Sequence, residues 1–144
     1  MYEHILVAID GSRLSTPAIR CALGLAKSLR ARLTAVYVVA AYADAGAGAA
    51  GFAALRGFSQ AVRKDARRAL AGFNAAARAQ CVTARAISVV GGEPWRQILL
   101  AARTRKCDLI VMASHGRSGL AGILLGSETT KVLTHSKIPV LVCR

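Results

Sequence analysis

Five short apolar runs, each separated from the next by residues at helical spacing, constrain this 144-residue chain more than any other feature. The runs are HILVAID (4–10), LTAVYVV (33–39), VTARAISVV (82–90), DLIVMA (108–113) and IPVLVC (138–143). They are rich in β-branched residues and almost continuously apolar, the pattern of strands buried on both faces of a parallel sheet. The third alternates before it becomes apolar, which predicts a strand nearer an edge.

The intervening segments read as amphipathic helices. Over 15–30, Ser15 is a natural N-cap, Pro17 suits a first turn, and Ile19, Leu23, Ala26 and Leu29 share a face. Over 59–79 the face is Val62, Ala66, Leu70, Phe73 and Ala77. After the turn GGEPW a helix runs from Pro94 to about Arg105, with Trp95, Ile98, Leu99 and Ala102 inward. A last helix runs from Ser127, its N-cap, to Thr134. The Ala- and Gly-rich stretch 40–60 has little periodicity and is expected to be a flexible loop. Strand and helix alternate throughout, so the fold class is α/β. One domain over 1–144 is expected: a doubly wound, five-stranded parallel sheet with helices on both faces and right-handed crossovers.

Hydrophobic residues make up 54% of the chain and charged residues 19%, a globular balance rather than a disordered one. No apolar run approaches the ~20 residues that span a bilayer, and MYEHILVAIDGS has an acid where a signal peptide carries basic residues. No membrane partner and a cytoplasmic location are therefore expected. Cys21, Cys81, Cys107 and Cys143 are far apart and form no CxxC pair, so they read as reduced structural thiols. Twenty Lys and Arg against seven Asp and Glu give a net charge of +13, which attracts anions. The arginines are spread along helices and aromatics are only 5%, so stacking platforms for nucleic acid are missing and a nucleic-acid partner is not expected.

In open α/β sheets the ligand crevice lies beyond the carboxyl ends of the strands, where strand order reverses. That rule brings AIDGS, with Asp10 and Ser12, together with MASHGRSG and the end of the second strand near Val38. ASHGRSGLAGILLGS (113–127) holds four of the 13 glycines. Gly116 and Gly126 lack a Cβ and allow close approach of backbone to an anion; the helix from Ser127 aims free N–H groups and its positive end at the same loop. Arg117 adds a charge. The segment is not a P-loop, since no GK[ST] occurs, and a dinucleotide fingerprint belongs after the first strand. By itself a glycine loop before a helix can be a simple turn.

These residues resemble the universal stress protein family over essentially the whole chain. The family's nucleotide motif is G, two residues, G, nine residues, G-[ST]. Here Ala113 stands at the first position, Gly116 follows, RSGLAGILL fills the nine positions, and Gly126-Ser127 closes the motif. The opening ILVAIDGS and the tail GSETTKVLTHSKIPVLVCR are similar to the family as well. The resemblance implies a Rossmann-like, adenine nucleotide alpha hydrolase-like fold with strand order 3-2-1-4-5, and ATP, with Mg²⁺ near Ser12, as ligand. It implies that Asp10 and the Val38 backbone hold adenine, and that Ala8 and Ile9 line the pocket floor. Met112 and Ala113 would contact ribose, and Gly116, Gly126 and Ser127 phosphates, with His115, Arg117, Glu128 and Thr129 nearby. A Cβ at 113 would lie where the family places the ribose and first phosphates. It also implies a regulatory role in the stress response and a homodimer through strand 138–143, which would otherwise be an exposed sheet edge. No metal site built from protein ligands alone is expected.

Several alternatives stand beside that reading. A nucleotide-free dimeric interaction module is one and a slow ATP hydrolase another; polyanion binding through the net charge is a third. Asp10, His115 and Ser127 invite a Ser-His-Asp reading, but no G-x-S-x-G elbow is present, and no catalytic residue is assigned. Trp95 reads as core, and His135 and Lys137 suit a helix end.

Overall fold

A computed structural model describes residues 1–40, 49–116 and 125–144, with side chains in all of these but 49–58. The elements are β1 (His4–Ile9), α1 (Thr16–Leu29), β2 (Arg32–Ala40), α2 (Ala49–Ala79), β3 (Ala84–Gly91), α3 (Pro94–Thr104), β4 (Leu109–Ala113), α4 (Ser127–His135) and β5 (Val140–Cys143). A short 3₁₀ turn, Arg13–Ser15, leads into α1. The five strands form one parallel sheet in the order β3-β2-β1-β4-β5, as expected. One boundary differs markedly from the sequence reading. α2 begins at Ala49, so 49–60 is helical rather than loop; its alanines and leucine favour a helix by more than two glycines oppose it. The rest of the expected loop, 41–48, lies outside the described residues.

Alternation along the strands splits the core in two. Ile5, Val7, Leu33, Ala35 and Val111 face α1 and α2, where Ala18, Ala22 and Ala26 let α1 lie close to the sheet. Leu6, Val36, Ile110 and Met112 face α3 and α4 and meet Ile98, Ala101, Ala102 and Val132. Burying a side chain such as Ile5 or Ile110 contributes about 1.5–3 kcal/mol.

Three helices return to the sheet through the same closed turn. The left-handed residues Arg30 (φ 54°), Cys81 (φ 57°) and Lys106 (φ 55°) follow α1, α2 and α3. The next amide then donates back into the helix: Ala31 to the Ala26 carbonyl at 2.9 Å, Val82 to Ala77 at 3.0 Å, Cys107 to Ala102 at 2.8 Å. This is the Schellman arrangement, built without its usual glycine. At the same end of the sheet, the Asp108 carboxylate accepts the Glu3 and His4 amides at 2.7 and 3.1 Å. The buried His4 ring lies 2.8 Å from the Thr34 hydroxyl through Nε2. Burial, with Arg32 nearby, lowers the His4 pKa. Among the described residues no helix is long and apolar enough to cross a membrane.

Candidate functional site

At the opposite end, beyond the carboxyl ends of β1 and β4, a cavity of about 400 Å³ opens. Ala8, Ile9 and Asp10 come to it from β1 and its exit, Val38 from β2, and Met112 and Ala113 from β4. His115, Gly116, Gly126, Ser127, Glu128 and Thr129 complete the residues expected there. Ser15, Val36, Pro94 and Ile98 also line it. In the sequence these four read as a cap, a strand interior, a helix start and a helix face. Strand alternation could have found Val36, since it shares a face with Val38. Arg117 lies outside the described residues, as do Gly119 and Gly122.

The first strand's exit is preset by its own polar groups. Gly11 turns the chain at φ 76°. Asp10 Oδ1 accepts the Ser12 amide at 2.9 Å and the Ser12 hydroxyl at 2.7 Å. Ser12 is therefore bonded to Asp10 and is not among the lining residues, whereas Asp10 is. The Ser15 hydroxyl donates to the Ser12 carbonyl at 2.8 Å, which buries Ser15 at the base of α1.

The motif positions each have a distinct physical reason. A Cβ on Gly116 would sit 3.0 Å from Asp10 Oδ2. One on Gly126 would sit 3.2 Å from the Ser114 carbonyl oxygen and 3.5 Å from His115 Cα. The start of α4 thus crosses closely over the end of β4, and a side chain at Gly126 would press on the Ser114 carbonyl. Gly126 is also the N-cap of α4, displacing Ser127 to the first helical position, and its amide donates to the Ser114 carbonyl at 2.7 Å. That amide is spent inside the protein. The first-turn amides of Ser127, Glu128 and Thr129, which have no acceptor within a helix, remain to face an anion.

Ala113 both lines the cavity and packs within the α1-side core. Leu109, Val111 and Ala113 belong to the α1-side core, while Ile110 and Met112 belong to the α3–α4 side that walls the cavity. By that alternation Met112 faces the cavity floor, while Ala113, at the end of β4, packs toward α1 and still contributes to the cavity lining.

Two residues expected beside phosphates are already bonded. The buried Thr129 hydroxyl donates to the Ala113 carbonyl at 3.0 Å, tying α4 to β4. Glu128 Oε2 accepts the Trp95 amide at 2.8 Å, and its other oxygen lies 3.6 Å from Lys131 Nζ. The carboxylate closes the start of α3 and holds two helix N-termini against one cavity. Trp95 is half-buried; its ring meets His135 at 4.5 Å between centroids and carries the Arg96 guanidinium at 5.0 Å. His115 Nδ1 lies 3.1 Å from the Ser114 hydroxyl. Among the described residues no group of three His, Cys, Asp or Glu is placed to hold a metal ion.

The universal stress protein family profile matches residues 1–144. The chain belongs to this family. A universal stress protein of Methanocaldococcus jannaschii is 33% identical over 144 residues, covering 100% of this chain and 83% of that protein. The solved universal stress protein of Lactobacillus plantarum superposes with a TM-score of 0.87 at 27% identity, over 99% of this chain and 98% of its own. A universal stress protein solved in complex with cAMP is also similar, with a TM-score of 0.73 at 27% identity over 99% and 97% of the two chains. The family's α/β sheet, in the order 3-2-1-4-5, is thus the frame on which this cavity stands.

Proposed function

We propose that the cavity binds an adenine nucleotide, ATP with its Mg²⁺, and that the protein serves as a nucleotide-responsive regulator in the stress response. The observation that carries this reading is the crossing of α4 over the end of β4 at Gly126. It aims a helix N-terminus into a cavity whose floor is apolar (Ala8, Val36, Val38, Ile98, Met112) and whose rim holds Asp10. An apolar slot beside an array of amides suits a base at one end and phosphates at the other. In this reading Asp10 and the Val38 backbone take the adenine edge. Met112 meets the ribose, and Gly116 and Ser127 meet the phosphates. The relative solved with cAMP supports an adenine nucleotide as the ligand class. Mg²⁺ would arrive with the phosphates. Glu128 and Thr129 act here as positioning residues that shape the wall.

We further read the protein as a homodimer through β5, a sheet edge on which Leu141 is 37% exposed, and as cytoplasmic, in keeping with four cysteines that are all free thiols. The test is mass spectrometry of small molecules released on denaturing the purified protein, followed by calorimetry with ATP, ADP and AMP. An adenine nucleotide released, or heat on its addition that Asp10→Ala abolishes, is the expected result. No nucleotide released and no heat with any of the three would overturn the reading.

A further inference from the structure

The two faces of the sheet differ in charge. α1 and α2 share one of them, α1 over β1 and β4, α2 over β2 and β3. Each turns small and apolar residues inward: Ala18, Ala22 and Ala26 on α1, Ala66, Phe73 and Ala77 on α2. The outward flanks are basic. On α1, Arg20 and Lys27 are exposed about two turns apart (~10 Å), and exposed Arg30 follows in the turn. On α2, Arg63, Lys64, Arg67 and Arg68 are exposed close together, and exposed Arg78 follows Arg67 on the same row about three turns later (~16 Å). The two helices together carry a single acid, Asp65. On the α3–α4 face, by contrast, cations meet acids: Arg96 pairs with Glu93 at 2.7 Å, and Lys131 lies 3.6 Å from Glu128.

We propose that the α1–α2 face docks on the sugar-phosphate backbone of double-stranded DNA, without reading its sequence. Helices packed side by side stand about 10 Å apart, so their outer cations form two rows at a spacing close to the ~12 Å width of the B-form major groove. The rows can then meet phosphates of both strands across that groove. Arginine predominates in them, and its guanidinium can pair with a phosphate through two parallel hydrogen bonds. The expectation of no nucleic-acid partner rests on stacking, which single strands need and a duplex does not.

An anionic membrane fits this face less well. Between its cations α2 exposes Ala61, Ala71, Gly72 and Ala75, whereas a helix lying in a lipid surface inserts bulky apolar side chains; the phenylalanine of this segment, Phe73, is only 2% exposed. The cavity is walled from the α3–α4 side, so this inference does not depend on which ligand the cavity takes.

The experiment measures binding of the full chain to a mixed-sequence DNA duplex of about 30 base pairs by fluorescence anisotropy, from about 50 to about 200 mM salt. One variant carries Arg20→Gln, Lys27→Gln, Arg67→Gln and Arg78→Gln. A charge-matched control carries Arg85→Gln, Arg103→Gln, Lys106→Gln and Lys137→Gln, all exposed and outside α1 and α2. The slope of log K against log salt should become shallower by about 3 in the first variant and by less than about 1 in the control. Affinity at the lower salt should fall at least about tenfold in the first alone. Circular dichroism checks that both fold, and the α1 pair and the α2 pair, replaced separately, should each give about half the change in slope. Equal losses in the face variant and the control would reduce the effect to net charge and overturn the proposal. So would no duplex binding by the natural chain at the lower salt, tighter binding to a single strand of the same sequence, or displacement of the duplex by vesicles of anionic lipid.

Discussion

Glu128, in the first turn of α4, accepts the backbone N–H of Trp95, in the first turn of α3, at 2.8 Å. One carboxylate serves two helix N-termini: it lies in the favourable field of its own helix and satisfies an amide of the other. Glu128→Ala should lower stability by about 1 kcal/mol in urea unfolding, and Glu128→Gln by less, because its amide oxygen still accepts the Trp95 N–H. An unchanged denaturation midpoint in Glu128→Ala would show that the contact carries no weight.

Restoring the family's glycine at the first motif position should not tighten nucleotide binding. The Ala113 methyl belongs to the α1-side core, so Ala113→Gly should shift the ATP dissociation constant less than about twofold while costing roughly 1 kcal/mol of stability through lost packing and added chain entropy. Gly116→Val should behave oppositely. Its first added carbon meets Asp10 Oδ2 at 3.0 Å, and affinity should fall by at least about tenfold, or ~1.4 kcal/mol. Calorimetry on both variants separates the two outcomes.

The left-handed helix ends carry strain that glycine would relieve. Arg30→Gly and Lys106→Gly should each raise stability by about 1 kcal/mol, read as a higher urea midpoint with unchanged slope. Their φ values of 54° and 55° are native to glycine and costly for a side chain. A loss of stability in both would mean that the side chains contribute more than the backbone strain removes.

His4 makes stability depend on pH in a defined direction. Its folded pKa is lowered from 6.5 by burial first and by Arg32 second, so the unfolded chain takes up the proton first as pH falls. The contribution is complete above 6.5 and is lost progressively as pH drops toward the folded value. Urea midpoints measured from about pH 7.5 to about pH 5 should fall more steeply in the natural chain than in His4→Gln. Parallel profiles would remove His4 as the cause.

The five strands, their parallel pairing and the polarity of the site were all legible, because buried strands and amphipathic helices announce themselves by period. The crevice also followed, since strand ends must converge where the winding reverses. Side-chain direction at the site was the part that sequence could not supply. Ala113 faces α1 only because β4 alternates from Leu109, a register that appears once its neighbours are known. Glu128 and Thr129 looked like phosphate neighbours, yet their partners, Trp95 and the Ala113 carbonyl, come from other elements. The stretch from Ala49 carries no apolar stripe that would mark a helix, although alanine needs none to be helical.

The three identical helix returns sit at one end of the sheet, and the cavity at the other. At the first end each connection is a closed, self-bonded turn with no freedom to vary in length. At the second, the segment between β4 and α4 is bonded back to the sheet at Ser114 and Gly126, its two margins. The cavity end can therefore change its lining without disturbing the self-bonded returns at the other end.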